Sequence, residues 1–384
     1  MSKTQTQQNG WREVTVQDLT EEGFCVIKNN LRKPISSTQR SKMQGKYPYY
    51  GAAGQIDSVN DYRVEGYHLL VAEDGTVTSN GINPMLQLVD GKFWVSNHAH
   101  IMQGKTKQET LLLYYMLSAV DINTYITGAV QPKLSKTNLL KITLNLPPLP
   151  EQKAIAEVLS SLDEKIDLLH RQNKTLEDMA QALFRKWFIE EAKKDWEEKP
   201  LDEIADYLNG LACQKYPPEN EIDKLPVLKI KELRNGFTEN SDWATSKVDE
   251  KYIVELGDVI FSWSGSLMLK ILDGQKCVLN QHLFKVTSEK YPKWFYYFWT
   301  KYHLEKFIGI ADSKATTMGH IKRGDLSNSL VRVPDTEELL KMSERISPEF
   351  EKMILNCKQI ANLEQQRDVL LPKLMNGEVR VKFN

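Results

Sequence analysis

The sequence predicts an α+β protein: two similar mixed α/β domains separated by two long antiparallel helices, an intramolecular coiled coil built on a pseudo-two-fold internal repeat. Three observations lead there. The chain repeats itself at an offset of 185 to 187 residues, an unbroken heptad follows the first half, and the remaining sequence consists of short apolar runs between turn residues. The repeat rests on four matches in order. Trp11-Arg-Glu-Val-Thr-Val-Gln-Asp-Leu19 lies over Trp196 to Ile204, and Gln131 to Leu139 over Met318 to Leu326. Leu146-Pro147 falls on Val333-Pro334, and Ala182 to Trp187 on Val369 to Leu374. The boundaries implied are a first domain at 1–147, a central helical spacer at 148–195, a second domain at 196–334, and a distal helical spacer with the C-terminal tail at 335–384.

Each mixed domain reads as strands joined by turns. Tyr67 to Ala72, Met85 to Val89, Val227 to Ile230 and Asp258 to Trp263 are short, β-branched or aromatic, and bounded by Gly, Asn and Asp. Prolines at 147, 148 and 150, and again at 334, then open the helical segments, because proline suits a first helical turn.

In the first helical segment Ile155, Leu159, Leu162, Ile166, Leu169, Asn173, Leu176, Ala180, Leu183 and Trp187 step alternately by four and three. Asn173 stands in the seam, where one polar residue fixes register. A helix from Glu151 to Lys193 would be roughly 65 Å long at about 1.5 Å per residue. In the second, Ile346, Phe350, Met353, Cys357 and Ile360 keep the period before it slips to Leu363, Leu370 and Leu374. Pro348 and Pro372 are expected to start, kink or end turns. A long amphipathic helix cannot bury its stripe alone, so the two are expected to pair. Leu159, Leu162, Ile166, Leu169, Asn173, Leu176, Leu183, Phe350, Met353 and Ile360 are the residues for helix pairing or partner binding.

Composition narrows the class. At 384 residues the chain exceeds one ordinary core, and 41% hydrophobic with 26% charged residues excludes a disordered chain. The longest apolar stretch, Leu111 to Val120, is about half of a membrane span. Cys25, Cys213, Cys277 and Cys357 are too dispersed for a disulfide scaffold or zinc knuckle. A soluble, cytoplasmic chain with no membrane partner is expected. The net charge of −1 argues against binding nucleic acid by bulk charge alone.

Catalytic signatures are missing: no phosphate-binding GxxxxGK loop, no GxGxxG after a strand and no GxSxG elbow. Asn145-Leu-Pro-Pro-Leu149 superficially matches an adenine-methyltransferase motif but lacks its aromatic residue and reads as a domain–helix linker. His98-Ala-His100 has no third or fourth metal ligand nearby. The chain is expected to be non-catalytic, with no metal and no cofactor of its own.

Two antiparallel helices carrying a domain at each end would share an approximate two-fold axis, which suits a duplex. Candidate DNA-contacting stretches are polar and glycine-bearing, and each also has an ordinary reading as a turn. They comprise Tyr49, Tyr50, Gly51 and Gly54; Asn97 and His98; Lys133 and Lys136; and Ser264, Gly265 and Ser266. Gln281, Thr316, Thr317, His320, Lys322 and Arg323 complete the set. Asn97-His98 and Asn280-Gln281 both follow strand-like runs.

Eight segments give a family likeness: YPYYGAAGQID (47–57), VAEDGTV (71–77), VSNHAHI (95–101), LPPLPEQKAIAEVLSSLDEKID (146–167), GDVIFSWSGS (257–266), LNQHLFKV (279–286), ATTMGHI (315–321) and LLPKLMNGEVRV (370–381). Over nearly its whole length the chain resembles the specificity subunit of type I restriction-modification systems. The resemblance implies two target-recognition domains that each read one half of a bipartite, asymmetric sequence in double-stranded DNA. It also implies helices that hold the domains apart and bind two modification (methyltransferase) subunits. Those subunits would bring S-adenosylmethionine and methylate adenine, and restriction (translocase/nuclease) subunits would bring ATP and Mg. Pro334-Asp-Thr-Glu337 departs from the LPPLPEQ wording of the first helix start. A coiled-coil adaptor whose globular ends bind proteins is the alternative.

Overall fold

A computed structural model describes residues 10–128, 130–238, 240–313 and 319–381. The chain divides into two units. One runs to Glu164 and resumes at Gln365, and the other is Lys165–Glu364.

The first unit holds β1 (Arg12–Thr15), β2 (Cys25–Ile27), β3 (Gln44–Tyr50), β4 (Gln55–Val59), β5 (Val64–Glu65), β6 (His68–Ala72), β7 (Leu86–Val89), β8 (Lys92–Val95), β9 (Ala99–Gly104) and β10 (Thr143–Leu146). Helices α1 (Val16–Glu21), α2 (Ser37–Lys42), α3 (Lys107–Ser118) and α4 (Lys136–Lys141) lie between them, and α5 (Leu149–Arg185) follows. Three sheets form: β1 with β10, β2-β9-β6-β7 and β4-β3-β8-β5. The first two are antiparallel, and in the third β3 and β8 run parallel.

The second unit holds β11 (Glu197–Pro200), β12 (Asp206–Asn209), β13 (Lys224–Leu228), β14 (Trp243–Thr245), β15 (Ile253–Val254), β16 (Val259–Ser262), β17 (Met268–Ile271), β18 (Cys277–Leu279), β19 (Leu283–Thr287) and β20 (Leu330–Val333). Its helices are α6 (Leu201–Ile204), α7 (Ile230–Asn235), α8 (Lys293–Ser313), α9 (Arg323–Ser327) and α10 (Thr336–Met375). Its sheets are β11 with β20, β12-β19-β16-β17 and β14-β13-β18-β15. Strand for strand the order is that of the first unit, including the one parallel pair, here β13 with β18. The duplication read from four short motifs therefore extends through ten strands whose side chains mostly differ.

Local chemistry accounts for the elements. Capping boxes Thr15/Asp18 and Thr106/Glu109 start α1 and α3 by satisfying amides that have no helical partner. β6 is buried at every residue, and so is its counterpart β16, because each lies inside its sheet under α3 or α8. The apolar run Leu111 to Val120 is mostly the buried face of α3.

Both units contain a stretch of the two long helices, antiparallel in each. In the first, Ile155, Ala156 and Leu159 share a core with Leu374 and Met375, and Arg367 reaches Asp163 at 3.0 Å. In the second, Ile166 and Leu169 pack on Ile360 and Leu363, while Ala180 and Phe184 share a core with Ile346, Phe350 and Met353. Leu162, Asn173, Leu176 and Leu183 are half-buried. Asn173 Nδ2 donates to Met353 O at 3.2 Å, and Asn356 Nδ2 donates to Asn173 Oδ1 at 2.9 Å. Asn356 is fully buried, so the seam holds a polar pair where a single residue was expected.

The first helix is α-helical to Arg185, about 56 Å at roughly 1.5 Å per residue, and continues as a wider helical turn, Lys186–Glu190, so it stops three residues short of the expected Lys193. Pro348 and Pro372 break nothing: α10 runs through both. Pro348 is exposed, while Ile346 and Phe350 beside it are buried, so packing on both sides holds the helix across the missing hydrogen bond. No helix among the described residues is long and apolar enough to cross a membrane.

Candidate nucleic-acid interface

Each unit has one corner where its two four-stranded sheets meet. In the first, Ser96–His98 carries the chain from β8 to β9, Glu73–Gly75 leaves β6, and Lys133 precedes α4. Backbone bonds join them: Glu73 N–H donates to His98 O at 2.8 Å, and Leu134 N–H to Glu73 O at 2.8 Å. In the second, Asn280–His282 joins β18 to β19, Trp263–Gly265 leaves β16, and His320 precedes α9. Ile321 N–H donates to Trp263 O at 3.0 Å. Asp74 bridges Lys133 as Ser264 bridges His320.

The frames match but the side chains do not. Around the first corner Glu73 accepts from Arg32, with Lys133 Nζ at 3.3 Å and His100 Nδ1 at 3.6 Å. Burial works against the Glu73 charge, but Arg32, His100 and Lys133 outweigh it and hold the carboxyl below its usual range. His98 Nδ1 meets Asp74 Oδ1 at 2.5 Å. His100 faces inward: Nδ1 lies 2.9 Å from Asn29 Nδ2 and Nε2 2.8 Å from Leu134 O. Burial pushes its imidazole below the usual histidine range. At the second corner Trp263 stacks on Phe284 with ring centroids 5.7 Å apart and donates from Nε1 to Asn209 at 3.0 Å. Its ring and that of His320 stand edge to face with centroids 6.3 Å apart. Ser264 Oγ and His282 Nδ1 are 3.1 Å apart. One corner is a network of charges, and the other is aromatic, hydroxyl and imidazole.

The expected contact residues divide accordingly. Asn97, His98, Lys133, Ser264, Gly265, Gln281 and His320 all lie at the two corners. Ser266 is exposed just beyond the second, Lys136 begins α4, and Lys322 precedes α9 with its amide held by Asp325 at 2.8 Å. Arg323 is exposed, yet its guanidinium donates to Tyr207 O at 3.2 Å and lies over Phe284, so one side of it is structural. Tyr49 belongs to the core: it is 1% exposed, and its hydroxyl accepts from Ile35 N–H at 3.0 Å. Strand alternation puts Tyr49 inward. Tyr50 is half-buried edge-on to Phe93 at 5.8 Å. Gly51 is buried too, and its amide closes a tight turn onto Gly54 O at 2.8 Å. Tyr49 and Gly51 therefore do not offer a surface to DNA, and neither does Ser264, which is 3% exposed with its hydroxyl on His282. Thr316 and Thr317 lie outside the described residues.

Strand register aligns the two corners residue by residue. Trp94 pairs with Tyr49 as Val278 pairs with Val227, so Asn97 is the counterpart of Gln281, and His98 that of His282. Asn97-His98 and Asn280-Gln281, which both follow strand-like runs, thus stand one position out of step; Asn280 is buried where Ser96 is. Glu73, Asp74, Trp263 and His282 were not singled out as contacts. Their signal was the shared glycine of VAEDG and FSWSG, which marks the same turn after β6 and β16.

Comparison with known proteins gives a consistent result. The family model described as "Type I restriction modification DNA specificity domain" matches twice, over residues 9–178 and 193–365. The chain is similar to the type I restriction enzyme MjaIX specificity subunit of Methanocaldococcus jannaschii, at 30% identity over 301 residues, covering 70% of this chain and 69% of that protein. It is also similar to the MjaVIII specificity subunit of the same organism, at 25% identity over 382 residues and 89% and 88% coverage. Among solved structures, the type I restriction-modification system S subunit from M. genitalium superposes with a TM-score of 0.59 at 15% identity, covering 97% of this chain and 98% of that one. That last likeness is one of fold.

Proposed function

The chain belongs to the type I restriction-modification DNA specificity family, and on that premise we propose that it reads a two-part, asymmetric sequence in double-stranded DNA, one half with each domain. Within that family it is a specificity subunit and not an enzyme. The observation that carries the reading is the repeated corner: one backbone frame built twice, with charged side chains in one copy and neutral ones in the other. Equal frames suit two equivalent docking events on a duplex, and unequal side chains suit two different base sequences.

Direct readout needs donors and acceptors at base edges, with amides, Lys and Arg on phosphates. Asn97, His98, Gln281 and His320 are of the first kind, and Lys136 and Lys322 of the second. With a net charge of −1 the chain depends on partners for much of the phosphate neutralisation. Those partners are two modification subunits, which supply S-adenosylmethionine and methylate adenine on either side of the target, and restriction subunits using ATP and Mg. The long helices are the surface on which modification subunits assemble, and the assembly works in the cytoplasm, where the DNA is.

The test is to co-express the chain with its cognate modification subunit in a host lacking adenine methylation and to map the modified bases. A motif in two unlike parts around a fixed unspecified spacer is expected. A continuous motif, or none from an assembled complex, would contradict the reading, the latter being the result for a protein-binding adaptor.

A further inference from the structure

One side-chain contact at the corners recurs in the two units at matched positions. In the first, His98 Nδ1 meets Asp74 Oδ1 at 2.5 Å, and in the second His282 Nδ1 meets Ser264 Oγ at 3.1 Å. Register makes these equivalent. Ala72 pairs with Ala99 as Ser262 pairs with Leu283, so in each unit the second residue past one strand faces the residue just before its neighbour. The turn is also the same: the next residue is a left-handed glycine in both, Gly75 at φ +74° and Gly265 at φ +62°, where any other side chain would be strained. Imidazole is kept, and its partner changes from carboxylate to hydroxyl.

Resting on the reading that each unit recognises half of a split target, we infer that His98 and His282 are the matched base-reading side chains of the two halves, and that Asp74 and Ser264 set what each imidazole offers. A carboxylate only accepts, so Asp74 keeps a proton on His98 Nδ1, and the tautomer this contact selects presents Nε2 as an acceptor. An acceptor there suits the amino groups of adenine N6 or cytosine N4. A serine hydroxyl gives as well as takes, so Ser264 admits either tautomer of His282; Gln281 Nε2 lies 3.5 Å from its Nε2, and once a base displaces that contact the ring can carry its proton there. That ring can donate to guanine O6 or N7, or to thymine O4. Exposure separates His98 from an ordinary structural histidine. Its side chain is 50% exposed, whereas that of His100, two residues away, is fully buried and bonded at both nitrogens. His282 is steadied by the Trp263 ring, 6.0 Å away, and remains half-exposed.

The experiment maps methylated bases made by the full chain with its cognate modification subunit, comparing wild type with His98→Ala, Asp74→Asn and His282→Ala. His98→Ala is expected to cost about tenfold discrimination at one position in one half of the motif. Asp74→Asn should shift preference at that same position, and His282→Ala should act in the opposite half. For any variant whose methylation is undetectable, the assembled complex is tested for binding to duplexes altered in one half or the other, and discrimination lost in one half alone supports the assignment. Unchanged discrimination in both halves, or one variant altering both, would overturn it. A wild-type map with no two-part motif would instead sink the parent reading, so the two failures are distinct.

Discussion

Glu151 opens α5 fully buried, yet it is ionisable. Trp11 Nε1 donates to it at 3.0 Å and Arg380 Nη2 at 2.6 Å. Removing the arginine leaves a buried carboxylate with only an indole for company, and breaking such a pair typically costs about 3 kcal/mol. Arg380→Ala should therefore lower the urea midpoint of the first unit while leaving the second unit's transition in place, measured by unfolding followed separately in each unit. His100 makes a pH prediction. Asn29 Oδ1 takes the Ile101 amide at 3.0 Å, which turns its Nδ2 toward His100 Nδ1 and holds that nitrogen unprotonated. Burial lowers its pKa, as it does for His68 and His303. The unfolded chain then binds more protons below about pH 6.5, so stability is complete above that value and lost on acidification. Melting between pH 7.5 and 5.5 should show this fall, and His100→Gln, which keeps both hydrogen bonds, should make it shallower. Little of this is visible in the chain alone: Glu151 and Arg380 are 229 residues apart, and no local pattern marks their meeting.

At the scale of elements, the helix pair was the most legible feature, because a buried stripe leaves a period that any reader can count. Every seam residue from Ile155 to Leu183 is buried or half-buried as that period requires. Asn356 was passed over because Cys357 also fits the spacing; steps of three and four from Met353 land on both. The pair predicts a non-additive result. Asn173→Leu or Asn356→Leu alone leaves a buried amide without its partner and should cost about 1–3 kcal/mol. The double leucine variant should recover most of that loss in a double-mutant cycle. Pro348→Ala tests the other departure. It restores an amide inside α10 and should raise stability by up to about 3 kcal/mol, read as an upward shift in melting temperature. The corners were less legible because each is assembled from three segments distant in sequence. Period-two alternation explains the error at Tyr49, which was grouped with its neighbour although adjacent strand residues face opposite ways.

At the scale of the whole molecule the repeat is cyclic. Trp196 and Lys193 meet Glu338 at the start of α10 as Trp11 and Arg380 meet Glu151 at the start of α5. The tail after each long helix thus completes the unit that the other long helix begins from. The domain order and both helix starts were legible in four motif matches. The identity of the bases was not, since readout depends on a few side chains at corners whose frame is common to both units. On the proposed function, each unit reads its own half of the target independently. The most direct measurement replaces residues 10–147 with the corresponding domain of another family member and maps methylated bases with the same modification subunit. One half of the motif is expected to be replaced, with the other half unchanged. A motif changed in both halves, or in neither while methylation persists, would contradict it.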